Sequence, residues 1–198
     1  LIHIGTHGWE LPDDRTGFYP EDLPAEWRLE LYTTQFHAVE VPPLDGPPAA
    51  DEVAAWYEQT LPDARFVVTI GDTDWGRRLA RGAGLRQLAG ALAPLGEKLA
   101  GLLWPQKPAL EADRFWPGAF HLERGVDTAR APEAPPSTYP AYWQLPAGAT
   151  EPGRLEVLAD QLQREQGAGR HSYVFFHGER AAIGAGEMAE ILNRRGLA

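Results

Sequence analysis

Six histidines, at positions 3, 7, 37, 121, 171 and 177, and a carboxylate at Glu40 are the side chains that invite a chemical reading. Imidazole titrates near neutrality and also binds divalent metals, and a carboxylate supports either role. Spacing narrows the choice. His3 and His7 are four apart, which would bring them together on a helix, but the glycines at 5 and 8 mark a strand ending in a turn. Extended, the pair is about 13 Å apart and cannot share one ion. The workable set is His7, Glu40, His177 and Glu179, one or two ligands from each of three strand ends, and a divalent cation is one occupant that such ligands would take. Proton transfer needs fewer groups. Burial would disfavour the charged form of Glu40 and make it a base near neutrality, with His177 and His7 as its acid partners. The structural alternative is that Glu40 pairs with an arginine to hold loops, and that the histidines make ordinary strand-end hydrogen bonds.

Other chemistry is excluded or weaker. The chain has no cysteine, so thiolate nucleophiles, thiolate metal sites and disulfides are out. No Gly-x-Ser-x-Gly elbow is present. Gly184-Ala185-Gly186-Glu187-Met188-Ala189 matches a dinucleotide fingerprint on paper, yet no strand can follow it to complete the unit. A remnant of that idea is a phosphate held at the start of a final helix near Ala185, although Glu187 would then repel it. Trp27 and Trp56 read as core; Trp9, Trp104 and Trp143 fall near strand ends, where aromatic rings can line a pocket.

The elements that must position these groups are short. The 198 residues carry 21 Gly and 18 Pro, which punctuate the chain closely. Strands are read at Leu1–Gly5, Phe36–Val41, Arg65–Ile70 and Leu99–Trp104, then at Ala119–Leu122, Tyr139–Leu145 and His171–His177. Helical spacing falls between them: Pro24 to Gln35, from Asp51, Leu85 to Leu95, a reduced turn at Leu110–Trp116, Pro152 to Gln166, and Ala185–Arg195. Strand and helix in alternation imply a parallel sheet with helices outside it. Ala131–Pro136 is a Pro-rich connector, and no convincing sixth strand is found between Pro108 and Tyr139. At 43% apolar and 23% charged, one α/β domain over residues 1–198 is the expectation.

Net charge is −10, and it is uneven. Up to Trp75 there are 15 acids against 3 Arg, a net of −12; the rest is +2. Such an acidic chain lacks the footprint of a nucleic-acid binder. Arg77, Arg78, Arg81 and Arg86 cluster, most simply as a solvated helix face. No run of apolar residues is long enough to cross a membrane as a helix, and a cytoplasmic protein is expected.

Several segments in order resemble the YecE-like family, named domain of unknown function 72. They are His3-Ile4-Gly5-Thr6-His7-Gly8-Trp9, Phe18-Tyr19-Pro20-Glu21, Val39-Glu40 within Phe36–Val41, Lys98-Leu99-Ala100-Gly101-Leu102-Leu103, and Tyr173-Val174-Phe175-Phe176. The resemblance implies a TIM-like parallel (β/α) barrel similar to xylose isomerase and endonuclease IV, here shortened or incomplete in its second half. It implies no firm activity. Two polar motifs depart from the family pattern: Tyr-x-Arg-x-His-Gly is matched by Tyr142-Trp143-Gln144-Leu145-Pro146, and Phe-Asn-Asn-Asp by Phe176-His177-Gly178-Glu179.

In such a barrel, functional groups sit after the C-terminal ends of strands. That rule picks out Thr6 and His7, Glu40, Asp72 or Asp74, Gln106 and Lys107, Glu123 and Arg124, and His177 with Glu179. The expected enzyme would use acid–base or metal-assisted hydrolysis or isomerisation on a polar small molecule or phosphate ester. Glu40, His177 and His7 would be catalytic, and Thr6, Trp9, Gln106 and Glu179 would bind substrate. The alternative is a non-catalytic binding protein whose family pocket has degraded and whose open barrel edge joins a second copy in a homodimer. Nucleic-acid processing, by likeness to endonuclease IV, ranks third.

Overall fold

The computed structural model describes residues 1–11, 17–133, 139–146 and 151–197. β-branched and aromatic runs form seven strands: β1 Ile2–His7, β2 Ala38–Leu44, β3 Arg65–Ile70, β4 Leu99–Trp104, β5 Phe120–Glu123, β6 Ala141–Leu145 and β7 Ser172–Phe176. All neighbours pair in parallel, in the order β5-β4-β3-β2-β1-β7-β6. The helices are α1 Arg28–Thr33, α2 Ala50–Glu58, α3 Asp74–Ala80, α4 Leu85–Leu92, α5 Ala112–Phe115, α6 Pro152–Gly167 and α7 Ala181–Arg195. The expected α/β class and the shortened TIM-like architecture are both present.

Period-two alternation sorts the strand side chains into two cores. Val39, Phe66, Leu102, Trp104, Trp143 and Val174 pack outward with the helices. Ala38, Val67, Leu103, Tyr142, Tyr173 and Phe175 form a separate inner cluster. Trp104 and Trp143 are therefore outer-core residues, fully buried, and do not line a pocket. Trp56 is buried as expected, whereas Trp27 is 54% exposed: its short 3₁₀ turn, Ala25–Trp27, has no buried residue.

Two glycines permit the strands to approach. A Cβ on Gly5 would lie 1.8 Å from the Ala38 carbonyl oxygen, and one on Gly101 would lie 2.3 Å from the Phe120 ring. Lys98, just before β4, is buried against the end of α2. Its Nζ donates to Tyr57 O at 2.7 Å, Thr60 O at 2.9 Å and Thr60 Oγ1 at 3.0 Å, and it lies 4.2 Å from the Tyr57 ring centroid. It ties up carbonyls that the helix end leaves open.

The region without a clear strand is bridged from within the chain. Ala129 pairs with Trp143 of β6: its N–H donates to Tyr142 O at 2.9 Å, and its carbonyl accepts from Gln144 N at 2.8 Å. Inside, the Phe120 ring of β5 meets Tyr142 of β6 edge-on at 6.0 Å. Of the Pro-rich connector, residues 134–136 lie outside the described residues.

The Arg cluster is a solvated face. Arg77 on α3 bonds Asp72 at 2.6 Å and Asp74 at 2.9 Å, while Arg78, Arg81 and Arg86 are exposed. The last helix begins at Ala181, not near Ala185, so Gly184–Ala189 lies within it and Glu187 sits beyond its first turn. The fingerprint glycines are not at a helix start, which removes the phosphate reading tied to them. Among the described residues no helix is long and apolar enough to cross a membrane.

Candidate functional site

Glu40 is the centre of the inner layer at the C-terminal end of the barrel. It follows Ala38 at inward spacing on β2 and is 0% exposed. His7 is its register partner on β1, so the two side chains rise side by side, and His7 Nδ1 lies 2.8 Å from Glu40 Oε1. From the other flank of β1, His177 follows β7. Its ring stacks on His7, with centroids 4.5 Å apart and planes 16° from parallel. His177 Nε2 lies 3.3 Å from the same Oε1, without hydrogen-bond alignment, and is buried with no other partner.

Two further donors come from β6. Tyr142 donates its hydroxyl to Glu40 Oε2 at 2.5 Å, and Gln144 Nε2 lies 3.0 Å from both carboxylate oxygens. Thr128 donates to Gln144 Oε1 at 3.2 Å and accepts from Gly125 N at 3.1 Å. The loop after β5 thereby fixes which end of the amide meets Glu40.

These contacts reverse the expected electrostatics. Burial alone would raise the Glu40 pKa, but the adjacent His177 imidazole and the hydrogen bonds from His7 and Tyr142 outweigh it and hold the carboxyl down at about 2. Glu40 is an ionised acceptor at neutral pH, not a poised base, and its partners are imidazoles, tyrosine and amide rather than arginine. Burial, then the Glu40 charge and hydrogen bond, push Tyr142 well above its ordinary range, so it stays a donor.

A cavity of about 450 Å³ opens above this cluster. His7, Glu40, Gln144 and His177 form its polar floor, Thr69 of β3 lines one side, Pro43 and Pro146 form walls, and Arg124 and Arg130 complete the lining. Size and polarity suit a small polar ligand. The donor atoms of His7, Glu40 and His177 lie within 4.8 Å of one another, close enough to meet at one cation.

The expected substrate groups fare differently. Thr6 is 0% exposed and faces outward, donating to Gly8 O at 2.6 Å and lying 3.1 Å from the Tyr32 hydroxyl. Trp9 packs edge-on against Trp56 at 5.5 Å, and Gln106 lies 3.5 Å from Arg77 O. Glu179 is exposed beyond β7. None of the four lines the cavity. His3 is at the opposite end of β1, stacked on Tyr173 at 4.6 Å; burial, then the His171 and Arg65 charges, lower its pKa to about 4. His121 is structural, accepting from Trp104 Nε1 at 3.0 Å.

Thr69, Tyr142 and Arg130 were not singled out by sequence reasoning, and Gln144 read only as a loss. A signal existed for two of them, Thr69 and Gln144. Val67-x-Thr69 and Tyr142-x-Gln144 each place a polar group two residues past an inward apolar one, as Ala38-x-Glu40 does.

The model of the family described as "Protein of unknown function DUF72" matches residues 3–118. Two crystal structures of a DUF72 family protein from Enterococcus faecalis V583 share the fold. One has a TM-score of 0.68 at 17% identity, covering 98% of this chain and 96% of that one. The other has a TM-score of 0.64 at 16% identity, covering 98% of both. No curated protein matches the chain.

Proposed function

The chain belongs to the DUF72 family, and from that premise we propose, on its own geometry, an acid–base enzyme that acts on a small polar molecule at the barrel mouth. The observation that carries this reading is the buried, ionised Glu40 holding His7 at the floor of a ligand-sized cavity, with His177 stacked beside it. Glu40 accepts from His7 Nδ1, which leaves Nε2 as the imidazole's free lone pair. A proton taken at Nε2 makes an imidazolium, and the adjacent carboxylate stabilises it without itself becoming protonated. His177 is the second proton-transfer group. Abstraction at one imidazole and return at the other would isomerise a substrate; the same pair acting on water would hydrolyse one.

The test is a panel of sugars, polyols and their phosphate esters, followed by NMR in deuterated water for isotope exchange or cleavage. Turnover should fall by a factor on the order of 100 or more in His7→Asn and in His177→Asn. Full turnover in both variants, or none by the folded wild type across the panel, counts against an acid–base enzyme.

A second reading, metal-assisted chemistry, is favoured by one observation: His177 Nε2 is buried without a hydrogen-bond partner, close to Glu40 and His7. These residues would hold a divalent ion that polarises a substrate oxygen or a water. Elemental analysis of the purified protein, with cobalt absorption spectra before and after His177→Asn, separates the two. Stoichiometric metal lost in that variant favours the metal; its absence leaves proton transfer.

A further inference from the structure

We infer that the ligand carries a phosphate monoester group, gripped by Arg124, Arg130 and Thr69; this rests on reading the cavity as the substrate site and names the substrate class.

The cavity holds more donors than the protein can satisfy. Its one acidic lining residue, Glu40, is occupied by His7, Tyr142 and Gln144. Thr69 is 1% exposed, yet its hydroxyl has no partner, and the buried Nε2 of His177 makes no hydrogen bond, with only the unaligned Glu40 Oε1 at 3.3 Å. Burying a polar group without a hydrogen bond is costly, so such atoms in a cavity wall point to a ligand that completes them.

The arginines say the same in charge. Arg77, Arg154 and Arg170 each meet a carboxylate at 2.6 to 2.8 Å, and Arg195 bonds both Glu156 and Asp160. Among the described residues Arg124 and Arg130 have no ion pair or side-chain hydrogen bond; Arg78, Arg81, Arg86, Arg114, Arg164 and Arg180 are unpaired too, but Arg124 and Arg130 are the two that line this cavity. Arg124 follows β5, where its N–H donates to Trp104 O at 2.8 Å, and Arg130 follows the bridging Ala129. Two unpaired guanidiniums facing one saturated carboxylate give this mouth a local positive field within an acidic protein, which draws in an anion.

Donor count selects among anions. Two guanidinium forks, a threonine hydroxyl and an imidazole exceed what the two oxygens of a carboxylate can accept. The three terminal oxygens of a phosphate monoester match them better, and arginine is suited to bidentate contact with phosphate. The remaining volume, out of about 450 Å³, accommodates a body of sugar size beside the two histidines.

Isothermal titration with inorganic phosphate, glucose 6-phosphate, glucose and acetate tests this on the wild type, Arg124→Gln, Arg130→Gln and the double variant. Both phosphates should bind more tightly than acetate, glucose should not register, and each single substitution should weaken phosphate binding about tenfold or more. Thr69→Val, close in shape, should weaken it less. Unchanged phosphate affinity in the double variant, or no phosphate binding by the wild type, overturns the inference. Phosphate binding that depends on the arginines, with no turnover, upholds the anion site and removes the catalytic reading. Turnover of uncharged substrates unaffected by the arginine variants does the reverse.

Discussion

His7 and Glu40 stand opposite each other in the β1–β2 register, and the Nδ1 of one reaches the Oε1 of the other at 2.8 Å. Parallel pairing thus does what a loop would otherwise have to do: it sets a carboxylate against one particular nitrogen of the ring. Because register is strongly specified where both faces of a sheet are buried, this contact is as rigid as the sheet.

The neutral His7 ring is therefore expected as the Nδ1–H tautomer. Long-range ¹H–¹⁵N correlations at a pH where the ring is neutral should show it, and Glu40→Gln should weaken the preference. A predominantly Nε2–H ring in the wild type would contradict the contact.

Glu40 also predicts a pH signature. Its pKa falls from an ordinary 4.5 unfolded to about 2 folded, so folding favours the ionised form. The stabilisation is complete above the unfolded value and is lost as pH falls through the folded one, a contribution of roughly 3 kcal/mol. Urea unfolding of the wild type and Glu40→Gln should therefore differ most at pH 7 and converge from about pH 5 toward pH 2. A gap that stays constant over that range would mean that Glu40 is not depressed.

Most of the fold and half of the site are legible in the chain because each rests on a local pattern. The strands announce themselves through β-branched runs stopped by Pro or Gly, and all seven fall close to where such runs occur. His7, Glu40 and His177 follow from one rule, that polar groups at strand ends converge at one mouth of the barrel. The same rule puts Thr6 there, and fails, because it ignores which face a residue occupies: Thr6 is one step out of phase with His7 and points to Tyr32. The ionisation of Glu40 is not local either. It depends on donors from β6 and on the His177 imidazole after β7, all more than a hundred residues along, and burial without those partners would have produced the opposite shift.

Gly5→Ala tests how closely β1 and β2 must approach. The new methyl would lie 1.8 Å from the Ala38 carbonyl oxygen and 2.7 Å from its carbon, backbone atoms that cannot swing aside, with the Tyr32 hydroxyl at 3.0 Å. A loss of more than about 3 kcal/mol is expected in urea unfolding. A wild-type midpoint would show that the strand pair can spread.

Lys98→Met keeps the length of the side chain and removes its donors. It leaves the Tyr57 and Thr60 carbonyls without the ammonium that now joins them, for an expected loss of about 2 to 3 kcal/mol. Cavity properties, including phosphate binding, should survive in the folded fraction, since Lys98 lies before β4 and away from the mouth. Unchanged stability would make the buried ammonium dispensable.

The strand order has a consequence for biosynthesis. β1 is flanked by β2 on one side and β7 on the other, so β1 leaves the ribosome long before β7 and waits for it before both its edges are paired. Until Ser172–Phe176 emerges, β1 exposes a row of unpaired amides and the cavity lacks its second imidazole. A nascent chain stalled after α6 would be an aggregation-prone half-sheet with no working mouth, and chaperones would be most needed in that interval.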